Sequence, residues 1–254
     1  LALALIGGWA PASTVSAEEL SRFSCERPQP WETGALHNVS VAAGLVDAVV
    51  LAPGAVFSFN QTMRSPGGRF VEGTSFLGGL EVKSRGGGIC QVSSGLYNAA
   101  LLAGLEVLER SGHSLYDPSE AYVPAGRDAM VSREGHSDFR FRNSTGEPLT
   151  IQARAEGGRL TVSLVGHERR PRTRWIETTL LRRSPARLRQ VESGALAFGQ
   201  CSLLHKGFDG LTVSSRLCWV GPDSVTRCAE LGLDRYDRVD EVWRVGAGHG
   251  EGKP

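Results

Sequence analysis

The stretch Arg85-Gly86-Gly87-Gly88-Ile89-Cys90-Gln91-Val92-Ser93-Ser94 sets three glycines before a cysteine and then enters an apolar periodicity. Val92, Leu96, Ala99 or Ala100, and Ala103 recur at three- and four-residue spacing, which predicts a helix opening at Cys90. The first N–H groups of a helix lack intrahelical acceptors, and the positive end of the dipole lies there. Both favour a thiolate, so the Cys90 thiol is expected below the free value of about 8.5. The glycines let a substrate backbone come close, and Gly87 and Gly88 are the expected N–H donors to an oxyanion. The same residues also read as an inert, buried thiol behind a flexible turn, the common fate of a free cysteine.

A nucleophilic cysteine needs a base within hydrogen-bond reach, and His113 is the first candidate. An unbroken helix from Cys90 to Arg110 would leave it roughly 30 Å away. Gly104, however, follows Leu101-Leu102-Ala103, where a left-handed glycine ends a helix. Leu105-Glu106-Val107 then alternates like a strand. A helix of roughly 20 Å followed by a returning strand of roughly 27–30 Å brings His113 back beside Cys90. Asp128 is the expected orienter of the imidazole, in the manner of a triad's third member. Its other reading is a turn carboxylate paired with Arg127.

Other polar residues are weighed against these. His136 is a rival base in a turn-like stretch, and His37, His167, His205 and His249 read as surface residues. Ser93 and Ser94, in the first helical turn, read as capping or packing residues. Arg127 is a candidate for holding a substrate carboxylate, because a guanidinium fork matches carboxylate bidentately. Arg85 reads as a solvated loop residue.

Outward from this centre, Asn38 to Leu51 reads as a helix with Val41, Leu45, Ala48 and Val49 inward, stopped by Pro53-Gly54. Val56 to Phe59 reads as a short strand and Ser65 to Gly68 as a turn. Asp138 to Arg142, Leu149 to Ala153 and Leu160 to Val165 alternate, which predicts a three-stranded antiparallel meander. Leu211 to Trp219 and Val239 to Val245 predict strands near the C-terminus. The expected class is α+β: a Cys-bearing helix packed on antiparallel strands, then a small β-rich module. The expected segments are 1–17, 20–168 and 172–248, with the seam at His167 to Arg172.

Composition narrows the function classes. The chain has 254 residues, 28 Lys+Arg against 27 Asp+Glu, and a formal charge of +1, so nothing global points to nucleic acid. Leu1 to Ala17 joins an apolar run to a small-residue end, which is the expectation for a secretory signal whose basic region lies upstream. An apolar lead-in strand or an uncleaved anchor, the one expected membrane contact, are the other readings. Export disfavours ATP or NAD chemistry. The five cysteines include no C-x-x-C and no zinc spacing, so no metal or cofactor is expected. The pairing of Cys25, Cys201, Cys218 and Cys228 stays open.

Several motifs then occur in a familiar order: Pro53 to Asn60, Gly86 to Ala100, His113-Ser114, and Tyr122 to Ala129. Over roughly residues 37–155 they resemble the VanW domain. The resemblance implies a bacterial, exported, cell-envelope protein, and it maps the family's cysteine onto Cys90. Some VanW-domain proteins act as L,D-transpeptidases that cross-link peptidoglycan stem peptides. The implied partners are therefore stem peptides, with Tyr122 and Arg127 at the substrate. Lys206 to Gly210, Tyr236, and Val242 to Gly246 resemble, more loosely, a G5 domain, which implies contact with wall glycans. The segment departs from that pattern in carrying three cysteines. A non-catalytic wall-binding module linked to cell-wall maintenance or glycopeptide resistance is the alternative. There Phe59, Tyr97 and Tyr122 would shape a groove and Cys90 would be structural.

Overall fold

The computed structural model describes residues 17–28, 32–64, 69–77, 80–132, 136–167 and 173–247. The signal expected at 1–17 falls outside these residues but for Ala17, as do the turn at 65–68, His249, and the seam but for His167. The chain runs β1 (Glu18–Glu26), α1 (Thr33–Val46), β2 (Val50–Leu51), β3 (Val56–Ser58), α2 (Phe59–Met63), β4 (Glu72–Leu77) and β5 (Leu80–Arg85). It continues through α3 (Cys90–Ala103), β6 (Glu106–Glu109), β7 (Arg140–Arg142), β8 (Leu149–Glu156) and β9 (Arg159–Gly166). The remainder is β10 (Arg174–Ser184), β11 (Leu188–Ser193), β12 (Cys201–His205), β13 (Gly210–Val220), β14 (Thr226–Tyr236) and β15 (Glu241–Gly246). The class is α+β, and the sheets are antiparallel apart from the β11–β15 pair.

Helix α3 is the axis of the core. All its residues except Cys90 and Leu102 are buried. It lies on the sheet ordered β1-β9-β8-β2, and Gly95 permits the contact. A Cβ at Gly95 would come within 2.8 Å of Leu160 Cδ2 and 3.2 Å of Val162 Cγ2. Ser21 of β1 ties the same face by donating to the Ala99 carbonyl at 2.8 Å. The helix ends at Ala103, as the sequence predicts, because Gly104 takes φ +73°. The Gly104 N–H reaches Leu101 O and the Leu105 N–H reaches Ala100 O, each at 2.9 Å, the paired bonds of a Schellman stop. The chain then returns as β6, which pairs with β7 in the sheet ordered β3-β7-β6.

Two expectations are corrected. Helix α1 covers Thr33–Val46 and buries Ala35, Val39, Ala42, Ala43 and Val46, not the face through Val41 and Leu45. Its stop is not Pro53-Gly54. Ala48 turns into the left-handed region at φ +58° and donates its N–H to Ile151 O at 2.8 Å. Val50 and Leu51 then pair with Thr150 and Leu149. For β-branched residues beside an open strand edge, sheet pairing outcompetes another helical turn. The expected meander is also divided. β8 and β9 do form a hairpin through Gly157 and Gly158, but β7 lies between β3 and β6 in another sheet. Asn143 makes the switch: its amide donates to Leu51 O and Glu147 O at 2.9 Å, while its carbonyl accepts from Gly54 at 2.8 Å.

In the C-terminal part, β13 contains the strand expected at Leu211 to Trp219, and β15 covers the one expected at Val239 to Val245 from Glu241 onward. β10, β11, β12 and β14 carry too many exposed and charged residues to show clean alternation. Cys218 and Cys228 face each other across β13 and β14 and form a disulfide, while Cys25, Cys90 and Cys201 are free. Among the described residues, no helix is long and apolar enough to cross a membrane.

Candidate active site around Cys90

The turn at Gly86 to Ile89 delivers Cys90 to the first position of α3, where its side chain is half-buried. Glycine is required at three of these positions, Gly86 having φ +90°. Gly88 has φ +101°, and a Cβ on Gly87 would sit 2.2 Å from the Gly73 carbonyl oxygen. Asn38 from α1 locks the turn, donating to Gly87 O at 2.9 Å and Val71 O at 3.0 Å.

A polar stripe along α3 then fixes an extended segment beside it. Cys90 Sγ lies 3.6 Å from Val131 O. Ser93 Oγ donates to Ala129 O at 2.6 Å, and Ser94 Oγ accepts from the Ala129 N–H at 2.8 Å. Asn98 donates to Arg127 O at 2.8 Å. The stripe advances four residues at a time while the segment advances two. The match is physical, since four helical residues rise about 6 Å and two extended ones about 6.6 Å. Ser93 and Ser94 are thus backbone clamps.

This clamp leaves the Asp128 carboxylate turned toward His113. His113 Nδ1 lies 2.5 Å from Asp128 Oδ2, and the His113 backbone N–H donates to the same oxygen at 2.7 Å. Asp128 Oδ1 accepts from the Tyr236 hydroxyl at 2.6 Å and from Arg110 at 3.3 Å. Four donors on a buried carboxylate outweigh the burial that disfavours its charge, and its pKa falls to about 2. With Nδ1 engaged by Asp128, the imidazole and the Cys90 sulfur lie close enough to shift each other's titration. Burial opposes the imidazolium, but Asp128 and Cys90 together raise His113 to about 10. Burial likewise opposes the thiolate, and the hydrogen bond and charge of His113 bring Cys90 below its ordinary value. Each partner therefore favours the charged form of the other, the thiolate beside the imidazolium. The His113 side chain remains 31% exposed, which leaves room for a substrate.

The remaining sequence candidates fall differently. Tyr122 borders the site: burial with the negative field of Cys90 and Asp128 holds its hydroxyl well above the usual phenol range. Arg127 is engaged two helical turns from Cys90, donating to Asn98 Oδ1 at 2.8 Å and lying over the Phe23 ring. Arg85 donates to Phe70 O at 2.9 Å. The Gly87 N–H is used on Ser84 O at 3.1 Å. Among the described residues, no acceptor meets the N–H of Gly88 or of Cys90. His136, His37 and His167 are exposed. Phe59 and Tyr97 are buried in the core, 0% and 4% exposed, so they line no surface groove, against that part of the binding-module reading.

Three contributors were not read from the sequence as site residues. Arg110 brackets Asp128, donating to its carbonyl at 2.6 Å, pairing with Asp234 and lying over the Tyr97 ring. Tyr236 and Asp234 arrive from β14, more than a hundred residues downstream, and no local pattern announces them. The Cys90, Ser94, Asn98 stripe is the one signal that was legible, as polar residues at four-residue spacing on an otherwise apolar helix.

Comparison with known proteins agrees with the motif order. The family model described as VanW like protein matches residues 34–165. YoaR of Bacillus subtilis strain 168 is 42% identical over 130 residues, covering 50% of this chain and 42% of that protein. The vancomycin B-type resistance protein VanW of Enterococcus faecalis V583 is 29% identical over 120 residues, covering 45% of this chain and 43% of that protein. The match thus spans less than half the length of either relative. Among solved structures, the crystal structure of HP0197-G5 aligns at 18% identity with a TM-score of 0.18, covering 29% of this chain and 96% of that one. That likeness is too loose to carry an argument.

Proposed function

The chain belongs to the family of VanW-like proteins, and on that premise we propose that it is a cysteine-dependent acyl transferase of the L,D-transpeptidase type, acting on peptidoglycan stem peptides. The observation that carries the reading is His113, held by Asp128 through Nδ1 and coupled to the Cys90 thiol. That is the arrangement of nucleophile, acid–base and orienter that acyl transfer requires.

In the proposed cycle the Cys90 thiolate attacks the carbonyl that joins an L-centre to the terminal D-residue of a donor stem. The tetrahedral oxyanion accepts from the Gly88 and Cys90 N–H groups, the two left free by the turn. His113, as imidazolium, gives its proton to the departing amine as the C–N bond breaks, leaving a thioester on Cys90. An acceptor amine from a neighbouring stem then loses a proton to His113 and attacks the thioester, and the thiolate departs. Water in place of the amine gives carboxypeptidase action. Tyr122 lines the approach to the sulfur, and Arg127 supports the site through α3.

The setting of this chemistry is proposed with it. The reading places the protein at the bacterial cell envelope or outside the cell, with stem peptides and wall glycans as its partners. Purified protein incubated with disaccharide-tetrapeptides and analysed by mass spectrometry tests the reading. A cross-linked dimer with loss of the terminal D-residue is expected, and Cys90→Ala abolishes it. Dimer formation unchanged in Cys90→Ala would sink the proposal.

A further inference from the structure

The C-terminal strands reach into the site through one side chain. Tyr236, the last residue of β14, is 3% exposed. Its hydroxyl donates to Asp128 Oδ1 and accepts from the Gly126 N–H, both at 2.6 Å. It therefore grips the Asp128 segment at two points, one on the carboxylate and one on the backbone two residues before it. The neighbouring contacts dock the same strands on the same loops. Ser215 of β13 donates to Gly126 O at 3.3 Å, the Asp237 N–H donates to Ser114 O at 2.6 Å, and Asp234 pairs with Arg110. The Tyr236 ring rests 5.4 Å from that of Tyr116. None of these strands falls in the segment 34–165 that carries Cys90, His113 and Asp128.

We propose that Tyr236 is a positioning residue of the Cys90 site, so that docking of the β10–β13–β14 sheet sets the reactivity of the thiol. The inference rests on the reading of Cys90 and His113 as nucleophile and acid–base. A carboxylate held by His113 on one side alone can rotate. With Tyr236 on Oδ1 and His113 on Oδ2, both oxygens are committed, and the imidazole plane is fixed against the sulfur. Undocking the sheet leaves Oδ1 with the 3.3 Å Arg110 contact alone, loosens the imidazole and lets burial draw the thiol back toward its protonated form. The strands thereby act as a regulator in cis: whatever moves them changes the site without touching its substrate. The other ionisable groups around Asp128 are Arg110 and Asp234, with Tyr97, Tyr116 and Tyr122 in its field. Of these groups only Tyr236 donates a phenolic hydroxyl to Asp128.

The test is the pH dependence of Cys90 alkylation by iodoacetamide, read by mass spectrometry on the full chain, with exposed Cys201 as the reference thiol. Tyr236→Phe keeps the ring and removes the hydroxyl. The midpoint for Cys90 is expected to move toward alkaline pH by about one unit, a roughly tenfold slower alkylation on the acid side of the midpoint, while Cys201 does not move. Ser215→Ala leaves Tyr236 intact and weakens the same docking, with a smaller shift in the same direction expected. A Tyr236→Phe profile superimposed on the wild type, with or without a lower melting temperature, overturns the proposal. Should Tyr236→Phe fail to fold, an unmoved profile in Ser215→Ala overturns it. Alkylation needs no substrate, so a failure of the transpeptidase reading is seen separately, in the Cys90→Ala product assay.

Discussion

Cys25 and Cys90 lie beside the same turn of α3, and their surroundings drive them in opposite directions. Consecutive residues of the helix serve them: Cys90 faces His113, while Gln91 faces Cys25. Cys25 is buried on β1, with the Gln91 amide 4.0 Å from its sulfur, and burial pushes its thiol up to about 12. Cys90 meets a burial penalty too, but a fixed imidazolium more than offsets it. A buried thiol is inert by default, and a cation must be held in place to reverse that. Holding it in place takes the carboxylate, and the carboxylate takes its own donors.

The sharpest break of this comparison is chemical. Cys90→Ala should lower stem-peptide transfer by about 10³-fold or more, whereas Cys25→Ala should stay within about twofold, both read as dimer formed per unit time. Next comes the cation. In His113→Gln the burial of Cys90 loses its main opponent, so its thiol should move toward the behaviour of Cys25. Its iodoacetamide rate at pH 6 should fall by about 10- to 100-fold, and an unchanged rate would show that the helix start alone ionises the sulfur.

A third prediction concerns stability against pH. Asp128 titrates at about 2 in the fold, against an ordinary value of 3.8. A lowered carboxylate stabilises the fold above its unfolded value and loses that contribution as the pH falls toward the folded one. The amount is about 2 kcal/mol, present above pH 4 and gone near pH 2. His113, raised to about 10, taken alone contributes below its unfolded value near 6.5 and loses this as the pH climbs. The lowered Cys90 gains as the pH approaches its unfolded value, so the two slopes offset each other around neutrality. Urea titrations at pH 3 and pH 6 should therefore show a drop in the wild type that is flattened in Asp128→Asn. The smallest effect belongs to Cys25. Cys25→Ala should lower stability by about 1 kcal/mol through the small cavity it leaves, with the Cys90 alkylation profile unmoved.

Much of the site lay open in the primary structure because its steps are local. A helix start after glycines, a left-handed stop at Gly104 and a returning strand are each decided within a few residues, and chain lengths alone bring His113 back to Cys90. The α1 register was misread for the converse reason. Val49, Val50 and Leu51 suit a helix face and a strand edge equally, and the edge offered by Thr150 and Leu149 lies a hundred residues away. The pairing of Arg127 with Asn98 is illegible for the same reason, since it depends on how a distant segment lies along the helix. Tyr236 was legible as a motif residue and not as a neighbour of Asp128.

By itself the amino-acid order determined the cysteine at the helix start, the break that returns the histidine, and the order of motifs that marks the family, because short-range sterics and spacing suffice for all three. Only the folded chain decided which free thiol is pushed toward ionisation, how Asp128 is satisfied, and that Tyr236 of the C-terminal strands reaches it. Those depend on desolvation and on donors brought together from distant parts of the chain, quantities that exist only once the packing is made.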